Sequence, residues 1–409
     1  MVYKHGRYTE DAQNAGNLLS AAVGTVPCYI GTAPIHLTES TVGKVNTPIL
    51  ITSYRDAVNK IGYSDDWAKF TLCEAVYAHF MNSNGAIAPI IVINMNDGES
   101  GEDFDIATGV TAEAFALAIK ALDSCEIMCN IVPNIICAPA ISHTYAKELE
   151  AVCTSKIAEK WGCVAYIDIP TETAKDGATA LTWKTTNAVA SKFVRPHFPK
   201  AKFGGKVYHL STLDAVASQK TDAESDGVAC HSSSNKVIDC DVPCIDATTN
   251  LIFSEKEANA LNEKGITTIN YIGGSFRVWG GHMANYDYSK INDILPQDRS
   301  DATVRMGVFL HNWLKSEHLA GVDFPMSRRD IDNIISNVNI GMNSFVKNGY
   351  LLYGNCYFDS ANNTAAELSD GDLKLNIQYT NTPNGKSVTF ILQYTPKGLE
   401  MLFAETEGV

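Results

Sequence analysis

Residues 373–396 read LKLNIQYTNTPNGKSVTFILQYTP, and their pattern decides how the last part of the chain folds. Apolar and polar residues alternate in both halves, and Pro383, Asn384 and Gly385 separate the halves. This alternation is typical of half-buried strands joined in a hairpin. The residues predicted to share its buried face are Leu373, Leu375, Ile377, Tyr379, Val388, Phe390, Leu392 and Tyr394.

A hairpin of two strands is only marginally stable in water, and its outer edges carry unpaired N–H and C=O groups. A chain that ends in such a hairpin needs something to cover those edges. The pattern by itself leaves open what covers the edges of this hairpin.

The composition is that of a globular protein with a large core. The chain has 409 residues, of which 45% are apolar and 19% charged, so it is neither disordered nor too short for two or three domains. Its net charge of −14 argues against nucleic acid and anionic membranes as partners, since both select clustered Lys and Arg. No apolar run has the roughly 18–20 residues of a membrane span, and residues 1–16 lack the apolar core of a secretory signal. We expect folding in a cytoplasm and no membrane insertion.

Eleven cysteines are present, an odd number, and several lie in apolar runs. Free cysteine packs as a small apolar residue, and disulfides are rare in reducing compartments. Two C-x3-C spacings, Cys125/Cys129 and Cys240/Cys244, with His231 near the second, leave zinc binding as an alternative. Structural zinc sites usually combine two close ligand pairs, so buried thiols are the preferred interpretation and no metal is predicted.

The middle of the chain alternates between apolar strands and helices. Strands are predicted within residues 88–95, 130–139 and 163–170, and helices within 111–122 and 142–162. Apolar strands that lack alternation and are separated by helices indicate a mostly parallel sheet covered on both faces. This pattern predicts an α/β domain.

Two β-prone runs precede this region, VPCYIG (residues 26–31) and TPILITSY (47–54). A helix is predicted to follow with Ser64 as its N-cap and with Asp65 and Asp66 in its first turn. The Ser-, Lys-, Asp- and Gly-rich residues 200–250 are predicted to form loops with short strands.

The C-terminal region has a different order of predicted elements. One helix is predicted within residues 301–316, and a second is capped by Ser327 with Asp330 and ends before Gly349. Helices followed by antiparallel strands predict a separate α+β unit. We find no internal repeat and no low-complexity tract.

An enzymatic function has little support in the sequence. Asp168 ends an apolar strand, and His231 precedes Ser232, so a soluble α/β hydrolase that uses these three residues is the alternative to a structural protein. However, the chain has no G-x-S-x-G elbow, no phosphate loop and no HExxH helix. An aspartate at a strand end and a serine-rich loop more often bond to backbone. We predict no catalytic site and no cofactor.

Several stretches resemble contractile phage tail sheath proteins in order along nearly the whole chain. They lie at residues 47–80, 88–95, 226–238, 257–286, 305–325 and 368–394. The most characteristic run is "EANALNEKGITTINYIGGSFRVWGGHMANY", where a late strand leads into a "WG" motif. His282 and Met283 depart from the Arg–Thr-like pair usual in the family, which affects local contacts only.

The resemblance implies a central α/β domain of subtilisin-like topology without a catalytic triad, and a C-terminal α+β domain whose open sheet is completed by arms of neighbouring subunits. The domain boundaries expected on this basis place an N-terminal arm at 1–20 and a β/α segment packed on the C-terminal domain at 21–85. The central domain then spans 86–265, the C-terminal domain 266–396, and a C-terminal arm 397–409.

The arms implied by the resemblance differ in charge and apolarity. Lys4 and Arg7 make the N-terminal arm basic at its start, and Leu399, Met401, Leu402 and Phe403 give the C-terminal arm apolar side chains that a solvated tail does not need. The predicted hairpin would receive such arms by β-augmentation.

Further partners follow from the resemblance. It implies a helical homopolymer of stacked, hexameric rings around a tail tube protein, capped by baseplate and tail terminator proteins, in a phage virion or in a contractile bacteriocin or injection system. In the family a C-terminal helix holds the tube largely by charge, so Arg328 and Arg329 are the candidate tube contact; the alternative is that both are solvated or paired with nearby aspartates.

Overall fold

The computed structural model describes residues 24–85, 89–317 and 327–399. The strands in this part of the chain are β1 (Pro27–Gly31), β2 (Pro48–Ile51), β3 (Ile90–Asn94), β4 (Ile135–Cys137), β5 (Val164–Asp168), β6 (Val194–His197), β7 (Lys200–Phe203), β8 (Lys206–Tyr208), β9 (Val242–Cys244), β10 (Thr268–Ile272), β11 (Ser275–Trp279), β12 (Leu351–Phe358) and β13 (Leu375–Asn381). The α-helices are α1 (Tyr54–Ile61), α2 (Thr71–Phe80), α3 (Ile106–Gly109), α4 (Ala112–Ala121), α5 (Cys125–Cys129), α6 (Ala146–Glu159), α7 (Gly177–Thr186), α8 (Leu210–Ala223), α9 (Glu255–Asn262), α10 (Asp301–Glu317), α11 (Arg328–Lys347) and α12 (Ala365–Ser369). None of these helices is long and apolar enough to cross a membrane.

The central sheet has six strands in the order β2–β3–β1–β4–β5–β6. Neighbouring strands run parallel except β2 and β3, which are antiparallel. Alternate side chains of β3 enter two different apolar clusters: Ile91 and Ile93 pack in one, and Ile90 and Val92 in the other. Both faces of the sheet are therefore buried, and the prediction of a mostly parallel α/β sheet is confirmed.

The predicted boundary at residue 86 is wrong. The strand β1, expected in a segment packed on the C-terminal domain, lies inside the central sheet between β3 and β4. Its five residues are all buried, since both faces of an interior strand are covered. The described part of this segment, residues 24–85, thus contributes to the α/β sheet rather than to a separate layer.

Two local predictions also need correction. The helix α2 begins at Thr71 rather than after Ser64, because the Ser64 hydroxyl accepts a hydrogen bond from the Asp66 N–H at 3.2 Å and holds a local turn instead. Residues 200–250 contain the 14-residue helix α8, of which twelve residues are buried. Its buried face includes many polar side chains, so it lacks the apolar stripe by which a sequence reveals a helix.

The predicted boundary at residue 266 is wrong as well. The hairpin β10–β11 places Ile269 and Val278 in one cluster with Leu213 of α8, and the first part of α10 packs Val304 against the central sheet. The C-terminal unit is smaller than predicted. Its apolar cluster joins the rest of α10 with α11, β12 and β13, and it also includes Val228 and Cys230 from the segment after α8.

The helix α11 agrees with its prediction. The Ser327 hydroxyl accepts from the Asp330 N–H at 3.3 Å, and Gly349 follows the helix with φ of +79°. Val338 and Met342 are buried one turn apart, as the i, i+4 spacing predicts.

The hairpin predicted within residues 373–396 is wrong for the isolated chain. The strand β13 pairs antiparallel with β12, which precedes it, and residues 383–395 form neither strand nor helix. The strand β12 lies on α11 and presents Leu351 and Cys356 to the same core, so β13 gains a partner that is already supported. The strand β12 is not among the strands predicted from the sequence.

Candidate assembly surfaces

We call β12 and β13 together the C-terminal ribbon. Leu375 and Ile377 on its inner face pack against the cluster that contains Val338 and Met342 of α11. Ile377 lies opposite Cys356 in the ladder, which places both side chains on the same face. The alternation predicted for the first half of the hairpin is therefore confirmed on the inner face of β13.

The ribbon contains just two strands within the described residues. The outer edge of β12 and the outer edge of β13 therefore lack a third strand to which their backbone N–H and C=O groups could bond. Such edges are templates for another polypeptide unless something covers them.

We call residues 388–394 the apolar segment. Its large side chains lie almost entirely in solvent: Val388 is 75% exposed, Phe390 85%, Ile391 90%, Leu392 96% and Tyr394 84%. Soluble proteins rarely leave so many large apolar side chains uncovered in one place, and such patches mark interaction sites.

The remaining predicted assembly residues fall into two groups. Leu373 is half-buried just before β13, and Tyr379 and Leu399 are 37% and 51% exposed. Lys4, Arg7, Met401, Leu402 and Phe403 lie outside the described residues.

Arg328 and Arg329 begin α11 and are almost fully solvated, with 96% and 84% of their side chains exposed. Arg328 lies 3.9 Å from Asp332, and Arg329 lies 3.5 Å from Asp330. Exposed ion pairs of this kind contribute at most about 1 kcal/mol, so both guanidinium groups can exchange these partners for others.

A buried ionic cluster lies between the central sheet and α10. Arg195 of β6 has no solvent exposure, and its guanidinium lies 2.9 Å from Asp214 of α8 and 3.0 Å from Asp301 of α10. It also donates to the Gly280 carbonyl at 2.7 Å. His197 lies 2.7 Å from the same Asp214 carboxylate. The cluster connects a strand, two helices and the loop after β11.

The electrostatics of this cluster favour the charged forms. Burial works against the charge of Arg195, but Asp214 and Asp301 outweigh it and raise the pKa of the guanidinium. Burial alone would raise the pKa of Asp214, yet Arg195 and His197 leave that pKa lowered. A buried pair of this kind is costly to break, because removing one partner leaves an uncompensated charge.

A second pair joins Arg305 of α10 to Asp222 of α8, where Thr25 also donates to the same carboxylate oxygen. Burial is the dominant effect here and raises the pKa of Asp222 to about 6. The pairs Arg195–Asp301 and Arg305–Asp222 together attach α10, and with it the C-terminal unit, to the central sheet and to α8.

The residues proposed for a hydrolase do not form a catalytic group. Asp168 accepts from the Ser211 N–H at 3.0 Å and the Ser211 hydroxyl at 2.5 Å, so it caps α8. The Ser232 hydroxyl donates to Asp301 at 2.9 Å, and His231 is exposed. Asp168 and Ser232 each have a structural partner, and no serine–histidine hydrogen bond is present among the three.

The cysteines in C-x3-C spacing are free thiols: Cys125, Cys129 and Cys244 are buried and Cys240 is half-buried. Burial is the main cause that raises the pKa of Cys240, and burial also raises the pKa of Cys244 to about 11. Within the described ranges no group of three or more His, Cys, Asp or Glu residues is arranged to hold a metal ion.

This chain is similar in sequence to known tail sheath proteins. The tail sheath protein of Escherichia phage P2 is 23% identical over 425 residues, which cover 98% of this chain and 98% of the relative. The resemblance to contractile tail sheath proteins is confirmed. The tail sheath protein of Burkholderia phage BcepMu is 26% identical over 309 residues, which cover 72% of this chain but 62% of that sheath protein. No protein-family model matches the chain.

Two solved structures share the fold of this chain over 97% of its length. A chain of the anti-feeding prophage baseplate aligns with a TM-score of 0.67 and 15% identity, covering 97% of this chain and 99% of that one. The sheath of an extracellular contractile injection system in its contracted state aligns with a TM-score of 0.61 and 14% identity, covering 97% and 98% of the two chains.

Two features of these surfaces were not predicted from the sequence: the strand β12 and the burial of Arg195. The run LLYGNCYF, residues 351–358, is rich in aromatic and apolar residues, and this signal could have revealed β12. The burial of Arg195 had no signal in the sequence, since an arginine beside apolar residues is more often exposed.

Proposed function

We propose that this chain is the structural subunit of a contractile tail sheath, which polymerises helically around a tail tube and contracts to drive the tube through a cell envelope. The observation that carries the proposal is the apolar segment, which lies exposed on a chain whose C-terminal ribbon has no third strand on either edge among the described residues. The similarity to the phage P2 tail sheath protein over 98% of both chains supports it.

The apolar segment is the donor strand and the C-terminal ribbon is the acceptor. The segment has seven residues and β13 also has seven, so a donated strand could pair along the full length of the ribbon. Val388, Phe390, Leu392 and Tyr394 would then share one face and enter an apolar environment, as period-two geometry requires. This assignment replaces the predicted hairpin, in which both halves belonged to the acceptor.

Strand donation between copies makes a heterologous contact, because the donor and acceptor surfaces differ. Such contacts do not need to close, so repetition yields a filament. We propose stacked hexameric rings that contact a tail tube protein within and baseplate and tail terminator proteins at the ends. The arms at 1–20 and 397–409 would add further connections between neighbours.

Contraction requires that subunits move while the donated strands stay paired. Rigid bodies that rotate outward about hinges between strand and body would satisfy this requirement. The energy is stored at assembly as the difference between two sets of subunit contacts. Assembly in the host cytoplasm, followed by incorporation into a phage tail or a related contractile particle, completes the proposal.

The tube contact is assigned to the solvated end of α11. Arg328 and Arg329 form a basic spot on a chain with a net charge of −14, and both are available for an acidic partner. Reversing both charges should weaken co-assembly with the tube and leave folding unchanged. Co-assembly that equals the wild type would remove this assignment.

Negative-stain electron microscopy of the purified protein tests the function. We expect long tubes from the wild type, and loss of tubes when the chain is truncated after residue 385 or when residues 1–16 or 398–409 are deleted. Size-exclusion chromatography should recover the truncated proteins as folded monomers. Truncated chains that form tubes like the wild type would refute strand donation.

A further inference from the structure

Lys386 makes the last long-range contact before the apolar segment. From the last residue of β13 onward, side chains bond to the rest of the subunit at three points. Asn381 donates to a carbonyl of α10 at 3.3 Å, Thr382 donates to the Gly349 carbonyl at 2.7 Å, and Lys386 reaches Tyr286. The described hydrogen bonds of residues 387–399 connect only near neighbours in the sequence.

Two tyrosines surround the Lys386 ammonium group. Its nitrogen lies 4.7 Å from the centre of the Tyr288 ring and 5.6 Å from the centre of the Tyr286 ring. The same nitrogen lies 3.2 Å from the Tyr286 hydroxyl, which accepts a hydrogen bond from it. Both ring distances are within the range of a cation–π interaction. We call Tyr286 and Tyr288 the tyrosine seat.

Tyr286, the buried residue of the tyrosine seat, is held in place by contacts with the rest of the subunit. Tyr286 is 3% exposed, and its ring stacks on His282 with centroids 3.5 Å apart and an angle of 2° between the planes. His282 in turn contacts the Arg299 carbonyl at 2.7 Å, and the Ala284 N–H donates to the Val194 carbonyl of β6 at 2.7 Å. The position of the Lys386 nitrogen is thereby defined relative to the central sheet.

We propose that the tyrosine seat holds Lys386 and so fixes the point from which the apolar segment leaves its own subunit to reach a second copy of the chain. This proposal rests on the proposed function, because it takes the segment to be a donated strand. Lys386 is a positioning residue in this scheme. It does not enter the neighbour's sheet, but it determines where the strand is presented.

Holding Lys386 in the tyrosine seat shortens the unanchored stretch of polypeptide that precedes the apolar segment. With Lys386 held, about five residues separate the anchor from the middle of the apolar segment at Ile391; without it, the next anchor is Thr382 and the free length is about nine residues. Because the effective concentration of a tethered strand falls as roughly the −3/2 power of tether length, loss of the seat should lower it roughly twofold. The lost cation–π attraction adds to this effect.

The contact can be tested in the monomer by amine labelling and mass spectrometry. Lys397 is the internal reference, since its described hydrogen bond is from its backbone N–H to the Thr395 hydroxyl and does not involve its ammonium group. We expect Lys386 to react about two- to fivefold more slowly than Lys397, the factor that corresponds to an exposed cation–π contact. Tyr288→Leu should remove the difference, and it should not disturb folding because Tyr288 is 55% exposed. Equal rates in the wild type would overturn the seat.

The role in assembly is tested by the critical concentration for tube formation. Lys386→Met should raise it at least about twofold, Lys386→Arg should leave it near the wild-type value, and combining Lys386→Met with Tyr288→Leu should add little to either change. A Lys386→Met protein that assembles like the wild type would overturn the positioning role.

These results separate the seat from the proposed function. A wild-type protein that forms no tubes, or a chain truncated after residue 385 that forms them normally, would refute the function and the positioning role together. The labelling rates would still report whether Lys386 occupies the seat. Conversely, normal tube formation by Lys386→Met, with loss of tubes on truncation, would refute only the positioning role.

Discussion

Single polar substitutions in the apolar segment separate assembly from folding. Phe390→Ser and Leu392→Ser remove side chains that are 85% and 96% exposed in the isolated chain. Because these side chains contribute almost no burial to the monomer, we expect its free energy of unfolding to change by no more than about 0.5 kcal/mol. The same side chains would be buried when the segment pairs with a neighbouring ribbon.

The magnitude follows from that burial. Transferring a Phe or Leu side chain from full exposure to an apolar interior is worth about 1.5–3 kcal/mol. A loss of about 2 kcal/mol per subunit raises the critical concentration for tube formation about 30-fold, since each 1.4 kcal/mol is a factor of ten. Each of the two substitutions should therefore have an effect of this size.

The assay is sedimentation of tubes over a range of protein concentrations, with thermal unfolding of the monomer measured alongside. Ile391→Ser is the matched control, because Ile391 is 90% exposed and differs mainly in facing the opposite side of an extended strand. We expect that side to face solvent in the assembled sheath, so Ile391→Ser should change the critical concentration by only a few-fold.

Three results would refute this reasoning. Phe390→Ser that forms tubes at the wild-type concentration would show that the segment is not buried on assembly. A monomer that unfolds at a clearly lower temperature would show that the segment packs on its own chain. An equal effect of Ile391→Ser and Phe390→Ser would contradict the alternation on which the donated strand depends.

Three further predictions concern the body. Arg195→Met should lower the free energy of unfolding by about 3–5 kcal/mol, because two buried carboxylates lose their counter-ion, and an unchanged denaturation midpoint would contradict this. Burial lowers the pKa of His79 to about 3. The unfolded chain therefore binds a proton at a higher pH than the folded chain does. As a result, the free energy of unfolding falls as the pH drops through the ordinary pKa of histidine. Between pH 7 and pH 5 the wild type should lose about 2 kcal/mol that His79→Gln does not lose, measured by urea unfolding at both pH values. Gly280 has φ of +124°, and a Cβ there would lie 2.4 Å from the Asn262 side chain, so Gly280→Ala should cost about 1–3 kcal/mol in thermal unfolding. Gly274→Ala, with φ of +83° and open space around it, should cost less.

Elements with a local signal were predictable from the sequence. The apolar strands β3, β4 and β5 needed only their composition and the helices between them, and α11 needed only its cap, its apolar spacing and Gly349. The alternation of β13 correctly gave the face that it buries. These properties depend on neighbours in the sequence, for which the periods of strand and helix suffice.

The candidate surfaces depended on contacts that no local pattern encodes. Alternation in residues 388–394 indicates a strand as clearly as alternation in β13. Yet β13 pairs with β12, whereas the apolar segment has no strand partner among the described residues. The choice follows from the support that α11 gives β12, which lies about 20 residues earlier. The same holds for Lys386, whose tyrosine partners are 100 residues away in the sequence.

By itself the sequence determined the type of each strongly patterned element, the absence of catalytic motifs and the resemblance to tail sheath proteins. Only the tertiary structure decided that β1 lies inside the central sheet, that Arg195 is neutralised by two carboxylates, and that the apolar segment is left exposed. The reason is physical. Pairing and burial are set by which distant elements meet, and the free energy of an edge strand or a buried charge depends on the partner that the fold brings to it.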